Sequence, residues 1–285
     1  MESKWIFIFL LILPNPVTAT SQCRTRDGNQ NDDWAILYKA AGQNNGRIIT
    51  AASVNWQQSP QSVGNRDGNS FGKALEHVAE ANGDAKFVAY NNKPPNAVGV
   101  QTNSNSKGIL IMNPRPEDSA AWIIHTVPGF PKALQPYTFP AEEIAKGHLF
   151  VCLTIKEEQL DVIAHALRIV RPLVYHHDIP ETEVNSRPNL KNLLNAHALR
   201  IVRPLVYHHD IPATEVNSRP NLKNLLNGDS NVLPPLTISK GIKTAASPGI
   251  KATVFSKGEK SGYDVQKSSF KEIEERSKSM DNQGY

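Results

Sequence analysis

An internal duplication is the feature that most constrains this chain. Residues 164–195, AHALRIVRPLVYHHDIPETEVNSRPNLKNLLN, recur as residues 196–227, and the copies differ only at Glu181 against Ala213. Solenoid repeats keep a pattern while their residues diverge, and they need three or more units to close a core. Two near-identical copies in 285 residues therefore mark a segment duplication or a gene-assembly error, and they do not define a solenoid. A layered domain has one slot for such a unit. One copy is expected to pack in the core and the other to form a surface insertion.

The start of the chain reads as a secretory signal over residues 1–19. Lys4 lies in a short polar start, Trp5 to Leu13 is apolar, and Val17-Thr18-Ala19 fits small-residue cleavage. The apolar run is too short for a membrane span, which needs about 20 residues. The mature protein is therefore expected to be secreted or lysosomal, with no membrane segment. Asp33 to Lys39 and Arg47 to Val54 read as strands, Gln57 to Asn69 as a polar loop, and Ser70 to Ala81 as a helix capped by Ser70. Lys86 to Tyr90, Gly108 to Met112, Ala121 to Thr126 and Leu149 to Ile155 read as strands. Glu157 to Val170 places Leu160, Ile163, Leu167 and Val170 on one helical face. Strands mixed with amphipathic helices imply an α/β or α+β layered domain. Beyond the duplication, Pro234 to Ser239 and Ile250 to Phe255 read as strands and Ser269 to Ser277 as a charged helix. Residues 240–285 carry nine Lys/Arg and six Asp/Glu, which reads as a solvated lysine-rich edge.

Common chemical motifs are sparse. The chain has no P-loop, dinucleotide-binding glycine pattern, HExxH or CxxC. Its two cysteines exclude a disulfide-dense scaffold and allow one intramolecular pair, Cys23 with Cys152. Six of the nine histidines belong to the two repeat copies. His176-His177-Asp178 and His208-His209-Asp210 invite a metal reading, but neighbours on a strand point to opposite faces and do not converge on one ion. Exposed turns fit them better. His77 is expected on the solvated side of its helix, and His148 has no evident partner. His125 differs: it ends the apolar run beginning at Trp122 and so sits at a sheet end, where sites on layered folds are often built.

Several segments together resemble the deoxyribonuclease II family. They are Cys23 followed by Asp33-Trp34 and Leu37-Tyr38-Lys39, then Ala89 to Pro95 (AYNNKPP), Ser106 to Ile111 (SKGILI), Trp122 to Pro131 (WIIHTVPGFP), and Leu149 to Leu153 around Cys152. The resemblance covers roughly residues 23–155 in order. It implies a phospholipase D-like α/β fold of two related halves that meet at one active site. Each half of that family supplies a His-x-Lys motif. DNA is cleaved without a metal or other cofactor at acid pH, through a phosphohistidine, to give 3′-phosphates. It also implies pairing of Cys23 with Cys152.

The resemblance divides the chain into a signal peptide (1–19), a first half (20–163), the duplication (164–227), and a partial second half with a Lys/Ser-rich tail (228–285). The first half looks complete, while the second is truncated and carries the duplicated segment. The first His-x-Lys position reads Asn105-Ser106-Lys107, and the sequence contains no His-x-Lys at all. Asparagine neither forms a phosphohistidine nor shuttles a proton near pH 5. The expected site residues are Lys107 and His125, as catalytic remnants and substrate contacts, with Asn105 where histidine is expected. The expected partner is DNA, bound without sequence preference. Binding should tighten at acid pH as nine histidines move the formal charge from +4 towards +13. The rival reading is a non-catalytic secreted pseudoenzyme that binds nucleic acid or a host protein, or pairs with a second copy as a homodimer.

Overall fold

Short runs of apolar residues, continuous in the central strands and alternating with polar ones towards one edge, build one large sheet. The computed structural model describes residues 21–80, 85–97, 104–113, 119–201 and 237–257. In chain order the elements are β1 (Cys23–Arg24), β2 (Asn31–Asp32), β3 (Trp34–Lys39), β4 (Asn45–Thr50), β5 (Ser53–Ser62), α1 (Ser70–Ala74), α2 (Glu76–Ala79), β6 (Lys86–Tyr90), β7 (Gly108–Met112) and β8 (Ala120–His125). After a 3-10 turn at Ala141–Glu143 come β9 (His148–Ile155), α3 (Glu158–Val170), β10 (Val174–His177), α4 (Glu181–Ser186), α5 (Pro188–Ile201), β11 (Thr237–Lys243) and β12 (Lys251–Lys257).

Eight strands form one sheet in the order β10-β6-β7-β8-β9-β3-β4-β5, every pair antiparallel. This is a mixed α/β fold built on an antiparallel sheet. Two meanders, β3-β4-β5 and β6-β7-β8, lie side by side. Their joint is β9, which bonds β8 on one edge and β3 on the other. The sheet has a core on each face. On one, Leu37, Ile48, Phe87, Ile109, Ile123 and Phe150 pack with Phe71, Leu75 and Val78 of α1 and α2 and with Phe130 and Phe139. On the other, Leu110, Met112 and Trp122 meet Leu160, Ile163 and Leu167 of α3 and Leu190, Leu193 and Leu194 of α5. The β11–β12 ribbon joins that second core through Ile242, Ala252 and Val254. Cys23 and Cys152 form a disulfide across 129 residues, tying the start of the described chain to β9.

Several local expectations change. Arg47 to Val54 is not one strand: a turn at Ala51-Ala52 divides β4 from β5. The first part of the expected loop Gln57 to Asn69 is strand, because β4 supplies backbone partners that its polar side chains do not advertise. The helix expected over Ser70 to Ala81 breaks at Leu75. Its cap is Asn69, whose Oδ1 accepts from the N–H groups of Phe71 and Gly72, and not Ser70. Of the duplication, the first copy supplies the end of α3, β10, α4 and most of α5, and buries Val174, Ile179, Leu190 and Leu193. The repeat begins inside α3. From the second copy only residues 196–201, the last turn and a half of α5, are described. The signal segment, Ala81, Pro234 to Leu236, the rest of the second copy and Ser269 to Ser277 lie outside the described residues.

Candidate functional site at one end of the sheet

Antiparallel register brings chain segments far apart in sequence to one sheet end. Tyr90 pairs with Gly108, Gly108 with Ile124, His125 with Phe150 and Lys39 with His148. The residues just after β6 and just before β7 therefore meet the end of β8 and the start of β9. Gly108 is required for this approach. A Cβ there would come within 2.5 Å of both the Ile123 carbonyl and the Tyr90 hydroxyl. Lys107 is thereby held against the end of β8, where its carbonyl accepts from His125 N–H at 3.3 Å.

Lys107 and Asn105 are brought together. The Lys107 ammonium donates to Asn105 Oδ1 at 3.2 Å, and the same oxygen accepts from Asn92 Nδ2 at 3.0 Å. Burial is the main cause that lowers the Lys107 pKa, reinforced by neighbouring Lys93 and opposed by Glu143. The site thus offers an ammonium and an amide N–H around one oxygen position, the arrangement that receives an oxyanion. Asn92 and Lys93 fall in the AYNNKPP segment that carries the resemblance, but neither is among the expected site residues. The strand register that aligns Tyr90 with Gly108 is the signal that finds them.

His125 lies beneath this surface and is 4% exposed. Its ring stands edge-on to Phe130 at 5.6 Å and stacks near Phe150 at 6.1 Å. Nδ1 accepts from Val127 N–H at 3.2 Å, which leaves the proton of the neutral ring on Nε2. Nε2 is buried and has no partner among the described residues. Burial, then Lys107 and His148, push its pKa down to about 3. Buried Asn91 sets the wall of this pocket. Its Nδ2 donates to the carbonyls of Val127 and Phe130 at 3.1 and 3.0 Å.

The other histidines correct the sequence expectations. His148 does have partners: Nε2 lies 3.0 Å from the Glu143 carbonyl and 3.1 Å from its carboxylate, and Nδ1 lies 3.2 Å from Thr126 Oγ1. His77 is buried beside Glu76 and not solvated. His176 and His177 lie on β10 and not in an exposed turn, with His176 stacked on Phe87 at 4.6 Å. Asp178 Oδ1 accepts from Phe87 N–H at 2.7 Å. His208-His209-Asp210 lies outside the described residues. Burial lowers the pKa of His77, His125, His148, His165 and His176. The acid charge swing is therefore smaller than nine fully titrating histidines imply.

Lys39 is a further buried cation. Its ammonium is within 2.6–3.2 Å of the carbonyls of Ala40, Gln43, Ile144 and Lys146, which holds the Glu143 loop to the sheet end. Gly68-Asn69-Ser70-Phe71-Gly72 fits a G-x-S-x-G pattern, but the Ser70 hydroxyl is buried and donates to the Arg24 carbonyl at 2.7 Å. It is a structural hydroxyl and not a nucleophile elbow. Among the described residues no group of three His, Cys, Asp or Glu side chains could hold a metal ion, and no helix is long and apolar enough to cross a membrane.

A sequence model of the family Deoxyribonuclease II matches residues 22–200, which include every residue of this sheet end. The chain belongs to the deoxyribonuclease II family. Similar proteins include Plancitoxin-1 of Acanthaster planci, 26% identical over 206 residues that cover 66% of this chain and 56% of that one. Deoxyribonuclease-2-alpha of Rattus norvegicus is 25% identical over 183 residues, covering 59% and 51%. Deoxyribonuclease-2-beta of Homo sapiens is 25% identical over 197 residues, covering 64% and 53%. The chain thus spans about half the length of these deoxyribonuclease II relatives.

Proposed function

We propose that this is a divergent deoxyribonuclease II-like protein that binds DNA phosphates at the Lys107 sheet end, with hydrolysis weakened or lost. The observation that carries this reading is Asn105. In the position where the family resemblance expects a histidine, a carboxamide oxygen accepts from Lys107. Lys107 and Asn92 suit a phosphate oxygen, whereas the Asn105 carboxamide supplies no nucleophilic ring nitrogen to attack phosphorus. His125, neutral and enclosed between aromatic rings, does not replace the missing acid at pH 5.

The family chemistry is endonucleolytic hydrolysis at acid pH to 3′-phosphates, and it would need two histidines that this sequence lacks at its motifs. The same reading takes the chain as phospholipase D-like, with a first half (20–163), a duplication (164–227) and part of a second half (228–285). Secretion or lysosomal targeting follows from the signal-like residues 1–19. The test is supercoiled plasmid at pH 5 in chelator, with DNA binding measured in parallel. Salt-sensitive binding without nicking, weakened by Lys107→Gln, is the expected result. Metal-independent nicking that disappears in His125→Ala would overturn the loss of activity, and no DNA binding at pH 5 or 7 would overturn the substrate. Asn105→His is expected to restore nicking only in part, since the second motif stays absent.

A further inference from the structure

Strands β9, β3, β4 and β5 contain no aspartate or glutamate. One face of these strands belongs to the core around Leu37, Ile48 and Phe150, and Lys39 and His148 point the same way by strand alternation. On the opposite face, among the described residues, α3, α5 and the β11–β12 ribbon pack on Leu110, Met112 and Trp122 of β7 and β8. Beyond them Leu149, Tyr38, Arg47 and Gln58 form one continuous cross-strand row. Trp56 lies two residues before Gln58, beside the register shift between Ile48 and Thr50, and its carbonyl meets the Arg47 side chain.

Tyr38 is 49% exposed and Trp56 is 44% exposed, and Arg47 stands between their strands. Its Nη2 donates to the Trp56 carbonyl at 3.0 Å, which draws the guanidinium to β5. Among the described residues no carboxylate pairs with it. Ile36, Ile49 and Val151 form a half-buried floor.

We propose that this open face binds single-stranded nucleic acid, with bases stacked on Tyr38 and Trp56 and a phosphate held by Arg47. A sheet face with exposed aromatic rings and a basic side chain suits unpaired bases, whose flat faces are free to stack. A duplex keeps those faces inside its own stack. Inter-strand spacing puts β3 and β5 about 10 Å apart, a width that accommodates about two or three bases. Charge favours this occupant over a second copy of the chain. Two such faces brought together supply no carboxylate for either Arg47. The site lies on the face away from His125, whose ring packs with Phe150 while neighbouring Leu149 points outward. It goes beyond the phosphate-binding reading and does not depend on it.

The test uses the full chain and fluorescein-labelled dT12, with a 12-base-pair duplex alongside, at pH 7 over a salt series. Trp56→Ala and Tyr38→Ala are each expected to weaken dT12 by about 5- to 150-fold. Trp56→Phe keeps a stacking ring and should retain most of the affinity. Arg47→Gln should lower the salt slope by about 0.7. Duplex affinity reads the Lys107 site and should not move in these variants, so the two sites fail separately. Failure of the wild-type chain to bind dT12, or unchanged dT12 affinity in the Tyr38→Ala/Trp56→Ala double variant, overturns the proposal. So does sedimentation that finds a dimer which Trp56→Ala dissociates, because the face then belongs to a second copy.

Discussion

Replacing His125 by phenylalanine should flatten the acid sensitivity of this protein. In the folded state burial holds the His125 pKa at about 3. In the unfolded chain the ring takes its ordinary value near 6.5 and binds a proton below that pH. The unfolded state therefore binds more protons between pH 6.5 and 3. The contribution of the neutral ring is complete above pH 6.5 and is lost as pH falls towards 3, by about 1.4 kcal/mol per unit. Between pH 7 and pH 5 this amounts to about 2 kcal/mol from one side chain. Phenylalanine fits beside Phe130 and Phe150 but leaves Val127 N–H without its acceptor, a cost of about 1 kcal/mol at pH 7. Urea unfolding at the two pH values measures both effects. The wild-type protein should lose about 2 kcal/mol more than His125→Phe on acidification. Equal losses would refute the buried neutral histidine.

Two further outcomes concern the framework. Cys23→Ser should remove the loop constraint across 129 residues and cost about 3–5 kcal/mol, and dithiothreitol should lower the wild-type Tm but not that of the variant. Gly108→Ala should force β7 away from β8 through the clash with the Ile123 carbonyl and the Tyr90 hydroxyl. It should cost about 2 kcal/mol or more and weaken DNA binding by displacing Lys107, whereas Gly241→Ala, with open space around it, should change neither.

The legible parts of the fold were those where side chains report burial on both faces. Lys86–Tyr90 and Gly108–Met112 are strands with the limits their apolar runs imply, because the cores on both sides demand continuous apolar residues. Most of β5 was illegible because an edge strand is defined by its backbone partner, and Asn55 to Gln58 and Pro60 to Gln61 are exposed polar-rich positions. Lys39 left a trace: it continues the inward alternation of Ala35 and Leu37, so period-two reading points its charge inside. Half of its carbonyl cage, Ile144 and Lys146, comes from about a hundred positions away, which no local pattern encodes. His125 was legible as a sheet-end residue, and the resemblance singled out Lys107 beside it. The partners of His148 and the contribution of Asn92 depended on strand order, which was not.

The placement of β9 has a consequence in time. The two meanders have no backbone pairing to each other except through this strand, and it also carries the second cysteine. A ribosome adding roughly 5–20 residues per second needs roughly 6–26 s to travel the 129 residues from Cys23 to Cys152. Through that interval β3 presents an unfilled edge, and Cys23 is a lone thiol open to any passing partner. The nascent chain must be guarded until its late strand arrives, so the hazard in making this protein is one of waiting.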